Sequence, residues 1–333
     1  MKFYITGEKG LIARNLKGVL ETSGHIVVSD DQLFRHLDHS GRSLRAYPKT
    51  GEACVHRNDE ATWAEAFRLN AIDVVVHNAA VVGTDVVALD PAEATLSNVQ
   101  GTYNIVRAAN AAGVGVCYLG TTVIYDNVKY QSEPIFEHSD KAPKTFYGIQ
   151  KLAAEQVVTT SAKRWCVVRP LFAFGGLGDM NSLIAKSVYA HLTSRPQVDM
   201  FLDPEKKKDY LHVTDFCRAV ETVCRRPEGW GTDWNVAAET PVPVSGVMAL
   251  VDEVLGAPVS DRLRWHPQTD YLGNHVLTSW KIRTKLGWKP TMDLRQGILA
   301  TAEWIKGASD YNPLKYLDEA AQKNVDLLQH FPK

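Results

Sequence analysis

Thr6-Gly7-Glu8-Lys9-Gly10-Leu11-Ile12-Ala13 follows a short apolar run, Phe3-Tyr4-Ile5, and opens a stretch of helical periodicity over roughly 11–23. Strand, glycine turn and helix in that order make the start of a βα unit. Gly7 and Gly10 let the backbone turn tightly and approach a pyrophosphate. The unpaired N–H groups of the first helical residues, Leu11 and Ile12, and the helix dipole favour its negative charge. The spacing is G-x-x-G-x-x-A, so Ala13 stands where a third glycine would pack helix closely on strand.

Working outward, Ile26-Val27-Val28 reads as a second strand running into Ser29-Asp30-Asp31. A carboxylate about twenty residues after the glycine turn accepts hydrogen bonds from an adenosine ribose and repels a 2′-phosphate, which favours NAD over NADP. Asp31 fits that role if the strand runs through Ser29, and Asp30 is the alternative. Residues 31–52 are polar and lack periodicity, so a loop or irregular insertion is expected there. Beyond it come a short helix near 60–69 and the β-branched run Val74-Val75-Val76. A long helix near 91–112 precedes Val116-Cys117-Tyr118-Leu119, and a helix near 146–161 precedes Cys166-Val167-Val168. Apolar runs alternating with helices predict an α/β fold, a Rossmann-like doubly wound parallel sheet.

After about 175 the alternation loosens, with prolines at 196, 204, 227, 241, 243, 258 and 267. Residues 1–175 are therefore expected to form the dinucleotide-binding domain, some later segments returning to it. Residues 176–310 form a smaller C-terminal substrate-binding lobe, with Trp230, Trp234 and Trp288 expected in its core. Residues 311–333 are expected to form a helical tail over Leu317 to Leu328.

Composition narrows the function classes. A 333-residue chain that is 45% hydrophobic builds a large core, and a net charge of −1 offers no general field for nucleic acid or an anionic membrane. Five scattered cysteines without a C-x-x-C suggest reduced, buried thiols. The start Met1-Lys2 runs straight into a strand, and no apolar run is long enough to span a bilayer, so a cytoplasmic protein is expected. No metal site is expected; His36 and His39 read as a surface pair without thiol partners.

Tyr147-Gly148-Ile149-Gln150-Lys151 puts Tyr147 and Lys151 on one helix face, one turn apart. Leu119-Gly120-Thr121-Thr122-Val123-Ile124-Tyr125 puts hydroxyls at the carboxyl end of a parallel strand, the edge where open α/β sheets bind ligands. A tyrosine acting as a base must lose a proton held with a pKa of about 10. A neighbouring ammonium and a positive nicotinamide ring favour the phenolate.

With His77-Asn78-Ala79-Ala80, Asn98 to Thr102, Arg169-Pro170, Gly175 to Asn181, Lys208 to Val213, Trp234-Asn235-Val236 and Lys285 to Trp288, these segments stand in a familiar order. Over residues 1–305 the chain resembles the extended short-chain dehydrogenases, the NAD-dependent epimerase/dehydratase enzymes, most of which act on nucleotide-diphosphate sugars. The resemblance implies Tyr147 as acid/base and Lys151 as the residue that lowers its pKa and holds the nicotinamide ribose. Thr121, four residues before Tyr125, is then the catalytic hydroxyl, with Thr122 beside the substrate. Gly7, Gly10, Leu11, Ile12, Asp30 or Asp31, Ala79, Ala80, Asn98 and Pro170 would serve the cofactor, and Asn181 and Lys208 the substrate. A homodimer through the helices near 91–112 and 146–161 is also implied. The apolar stripe Leu152, Val157, Val158 suits that interface or packing on the sheet.

The departures narrow the chemistry. Dehydratases of the family carry Asp-Glu after the catalytic Thr, where this chain has Thr122 and Val123. Epimerase-reductases place a Cys at position 123, and a valine cannot exchange a carbon-bound proton. Hydride transfer by Thr, Tyr and Lys remains: 4-epimerisation, oxidation or ketone reduction. The phosphate-gripping Arg is Lys208, which keeps the charge and loses the bidentate fork, and a frequent Asn is Phe172. A small non-nucleotide sugar, sugar acid or aldehyde is therefore the alternative substrate. A catalytically silent dinucleotide-binding regulator is the alternative of a different class.

Overall fold

Phe3, Tyr4 and Ile5 are each at most 4% exposed, so the strand they form is buried on both faces and needs helices on each. The computed structural model describes residues 1–33, 60–179, 182–194, 197–256, 258, 260–267, 270 and 272–308. The first part runs β1 (Lys2–Thr6), α1 (Leu11–Thr22), β2 (Ile26–Val28), α2 (Asp30–Leu33), α3 (Glu60–Leu69), β3 (Val74–His77), α4 (Thr84–Leu89), α5 (Pro91–Thr95), α6 (Gly101–Ala112), β4 (Gly115–Leu119), α7 (Phe146–Ser161) and β5 (Trp165–Pro170). Then follow β6 (Ala173–Phe174), α8 (Leu183–Leu192), β7 (Val198–Met200), β8 (Lys207–Lys208), β9 (Leu211–His212), α9 (Val213–Arg225), β10 (Thr232–Val236), β11 (Val242–Pro243), α10 (Val244–Leu255), β12 (Leu263–Trp265), α11 (Trp280–Leu286) and α12 (Leu294–Gly307).

Six strands pair in parallel in the order β10-β5-β4-β3-β1-β2. Alternate side chains feed two cores. Phe3, Ile5, Val74 and Val76 meet residues of α1 and α9 on one face, while Tyr4, Val75 and Tyr118 meet α3, α6 and α7 on the other. This is the doubly wound arrangement. Its switch point lies between β1 and β3, where the chain leaves in opposite directions and ligands bind beyond the strand ends.

A second core gathers Ile184, Val188, Met200, Val247, Met248, Val251, Ile298 and Ile305 from α8, α10, α12 and the short strand β7. The tryptophans depart from expectation. Trp234, Trp288 and, at the margin, Trp230 belong to the sheet core, because β10 joins the sheet beside β5 and carries Trp234 with it. Cys117, Cys166 and Cys224 also lie in that core, their sulfurs within 4.8 Å of one another, and pack as small apolar groups.

Other differences are local. The helix expected near 91–112 is α5 and α6 joined by a π-helical turn, Leu96–Gln100. The region expected to be irregular from 31 begins with the last residues of α2. The stripe of α7 is used within the chain: Val157 and Val158 pack on the sheet core, and Leu152 packs beside Ile124 and Leu171. His36, His39, Cys54, Asn181, the side chain of Asp31 and the tail helix all lie outside the described residues.

Candidate active site

The glycine turn sits at the switch point as the spacing predicts. Gly7 has φ +71°, and a Cβ on it would stand 3.0 Å from the Cα of Ala79, so the ends of β1 and β3 touch only because it has none. Gly10 precedes α1 with no side chain capping the helix, leaving the first-turn N–H groups of Leu11 and Ile12 without an intrahelical acceptor. Asp30 closes the far side of the turn: its Oδ1 accepts from the Tyr4 hydroxyl at 2.7 Å, and its N–H donates to Glu8 at 3.2 Å. A glycine cradle too tight for a Cβ, an uncapped helix start and a carboxylate after β2 fit a bound dinucleotide.

Polar bonds carry this arrangement toward the catalytic helix. Thr6 Oγ1 accepts from the N–H groups of Asn78 and Ala79 and lies 2.9 Å from His77 Nδ1. His77 Nε2 lies 2.9 Å from Thr102 Oγ1, whose proton goes to the Asn98 carbonyl. Those directions make Nε2 the donor and Nδ1 the acceptor. Burial, and after it Lys151, pushes the His77 pKa down to about 3, so the ring stays neutral. Asn98 in turn clamps both the N–H and the C=O of Val81 and donates to Gln150 Oε1 on α7 at 2.9 Å. It is 2% exposed. Its bonds brace the strand-end geometry, and the π-helical turn aims it there. Sequence reading passed over His77 and Gln150; the available signal was their adjacency to Asn78 and Lys151.

Thr145 caps α7, accepting from the Gly148 N–H at 3.1 Å, and so sets Tyr147 at the second helical residue. A negative phenolate there faces the positive end of the helix dipole. The Tyr147 ring rests on the small cluster Val81, Val87 and Ala94. One turn on, Lys151 is 4% exposed. Its ammonium donates to the Leu119 carbonyl at 2.8 Å and lies 4.2 Å from the Tyr118 ring centroid. Burial pulls its pKa down to about 7, against the opposing pull of Glu155. Thr121, two residues past Leu119, is half-buried and caps the short turn Thr122–Ile124 that packs on α7. Lys151 and Thr121 thus meet at the carboxyl end of β4, Tyr147 lies one helical turn from Lys151 over the segment after β3, and Pro170 ends the adjacent strand β5.

The substrate side differs from the reading. Thr122 is 4% exposed, folded into the turn. Lys208 is 1% exposed, and its ammonium is committed to Asp270 at 2.9 Å and to the Gly273 carbonyl. A buried ammonium needs a counter-charge, and the loop after β12 supplies it 62 residues away in sequence. Phe172, with φ +34°, lies between His275 and Tyr210.

The sequence profile of the NAD dependent epimerase/dehydratase family matches residues 3–237. A dTDP-glucose 4,6-dehydratase of Streptomyces antibioticus is 25% identical over 73% of this chain and 73% of its own length. A UDP-glucose 4-epimerase of Mycolicibacterium smegmatis is 24% identical over 93% of this chain and 100% of its own. The crystal structure of a Thermus thermophilus UDP-glucose 4-epimerase in complex with NAD superposes with a TM-score of 0.74 at 23% identity, covering 92% of this chain and all of the other.

Proposed function

The chain belongs to the NAD-dependent epimerase/dehydratase family, and from that premise we propose that it is an oxidoreductase or epimerase transferring a hydride at a sugar carbinol or ketone. The first substrate class is a nucleotide-diphosphate sugar, handled in the manner of a 4-epimerase or ketoreductase. Bound NAD supplies the hydride acceptor. Thr121 and Tyr147 hold the substrate oxygen, and the Tyr147 phenolate takes the hydroxyl proton. Lys151 in its charged form favours the phenolate and positions the ribose. The observation that carries this reading is the anchoring of Lys151 on the Leu119 carbonyl, two residues before Thr121 and one helical turn from Tyr147.

The dehydratase named above shares the family, but elimination of water needs a further acid and base. This chain has Thr122 and the apolar Val123 directly after Thr121, so a 4,6-dehydratase is not proposed. The Lys208–Asp270 pair favours the second reading, a small substrate without a diphosphate, because the expected phosphate grip is already neutralised. A homodimer is also proposed; Leu96, Tyr103 and Ile149, 44–51% exposed on neighbouring helical segments, give it an apolar face.

Turnover of UDP-glucose and UDP-galactose, set beside that of the free sugars and uronic acids, separates the two substrate classes. Epimerisation leaves bound NAD unchanged overall, whereas net oxidation releases NADH. Tyr147→Phe should lower kcat by about 10²–10⁴-fold while NADH still binds. Full activity in that variant would show that Tyr147 is not the acid/base, whereas a wild type that binds NADH and turns over none of these substrates would leave the silent-regulator reading.

A further inference from the structure

Tyr147, Lys151 and Glu155 follow one another at four-residue steps along α7 and so line one face. Only the first two are accounted for by hydride chemistry. Glu155 is 2% exposed, an unusual place for a carboxylate unless it is paired. Arg169 on β5, fully buried, grips it with two parallel bonds, Nε to Oε2 at 2.8 Å and an Nη2 bond to Oε1 at 2.7 Å. Lys141 adds a third at 3.0 Å. The same guanidinium reaches Asp233 at 2.6 Å and the Tyr125 hydroxyl at 2.8 Å. One cation thus ties α7, β5, β10 and the segment after Thr121 together.

The cluster lies directly beneath the catalytic strand end. Gly120 separates Leu119, which holds Lys151, from Thr121. A Cβ at Gly120 would stand 2.8 Å from Arg169 Cγ and 3.4 Å from Glu155 Oε2. The main chain at the active site therefore rests on the ion pair. The titratable and charged groups around Lys151 are His77 on β3, Tyr118 on β4, and Tyr147 and Glu155 on its own helix, with Arg169 and Lys141 beyond Glu155. His77 is neutral, and burial pushes the Tyr118 hydroxyl up, so it is neutral too. Glu155 is the carboxylate that favours the ammonium.

We propose that Glu155, held by Arg169 and Lys141, is a positioning residue that seats α7 on the sheet and keeps Lys151 charged where it meets the cofactor. This rests on the reading of Lys151 as the ribose-holding residue. The arrangement also makes Lys141, whose side chain is 31% exposed, a tuning cation, since it draws on the same carboxylate from the solvent side.

The test follows NADH binding by fluorescence from pH 5 to 10 in the full chain. Wild-type affinity falls as Lys151 loses its proton. Glu155→Gln should bring that fall about one pH unit lower, whereas Glu155→Asp keeps the charge and leaves its position unchanged. Lys141→Met should move it the other way, by roughly 0.3 pH units, because a partly exposed charge is screened. A fall at the wild-type pH in both Glu155→Gln and Lys141→Met overturns the proposal, even where thermal stability changes. Should Glu155→Gln fail to fold, Lys141→Met decides alone, and an unmoved or lowered fall overturns it. A wild type that binds no NADH defeats the cofactor role of Lys151 itself, a different outcome from an unmoved fall.

Discussion

Two buried ion clusters flank this site, Arg169 with Glu155 and Asp233 under the catalytic strand end, and Lys208 with Asp270 beside Phe172. The Arg169–Glu155 and Lys208–Asp270 pairs are alike in burial, Asp233 being partly exposed, and the clusters differ in how the charges are completed. Glu155 draws on side-chain cations, Arg169 and Lys141. Asp270 also accepts from the N–H groups of Asp203, Leu272 and Gly273. The surroundings differ in the opposite sense. Around Arg169 the polar atoms are largely paired, although Asn235 Nδ2 is not. Around Lys208 both ring nitrogens of His275 and the Tyr210 hydroxyl are buried with no hydrogen-bond partner. On the reading proposed above, one cluster braces the strand end that would meet the cofactor. The other leaves uncommitted polar groups on the side where a substrate would be read.

The difference is broken most severely at Arg169. Arg169→Met strips the buried Glu155 carboxylate of its bidentate partner, leaving it Lys141, and takes one cation from the partly exposed Asp233, a change that costs about 3–5 kcal/mol. Urea unfolding at neutral pH measures it. A loss below about 1 kcal/mol, the scale of an exposed ion pair, would mean that the cluster does not hold the sheet and helix together.

At the second cluster the same operation should cost less. Lys208→Met removes the ammonium, but three backbone N–H groups still solvate the Asp270 carboxylate, so a loss of about 1–3 kcal/mol is expected. Its second readout sharpens the substrate question. With the cation gone, KM for a UDP-sugar should stay within about twofold if the pair is internal, and rise about tenfold or more if Lys208 turns to a phosphate when substrate binds. Equal destabilisation by Arg169→Met and Lys208→Met would erase the contrast between the clusters.

That contrast also marks how far the sequence can be read. Periodicity and β-branching placed Val74–Val76, the helix that begins at Phe146 and the glycine turn at residue 7, because each depends on neighbours within one turn or strand. The pair Tyr147 and Lys151 was visible too, whereas Glu155 one turn further on offers no local sign of a role, since its partner Arg169 lies on a different element and the direction of a side chain across a sheet edge is set by packing. Asp270 was out of reach for the same reason. The family resemblance makes Lys208 a phosphate grip, and nothing local reveals a counter-charge 62 residues on. The tryptophans went to the wrong core because β10 returns to the sheet late, a long-range pairing with no signature in the residues around Trp234.

The smallest expected effect is at His275, where stability and function should separate. Burial, followed by the nearby Lys208, pushes its pKa down to about 3, so the ring is neutral. A neutral ring with both nitrogens unpartnered carries a desolvation cost of about 1–3 kcal/mol that an apolar side chain does not. His275→Leu gives up the edge contact with Phe172, whose ring lies 5.7 Å away. The net expectation is a gain of about 1 kcal/mol in urea unfolding. A stabilised variant with a raised KM identifies a group kept polar for the substrate despite its cost to the fold. A stabilised variant with unchanged KM restricts the orphaned nitrogens to the fold. A destabilised one shows that the imidazole is satisfied in solution, and then the second cluster is as complete as the first.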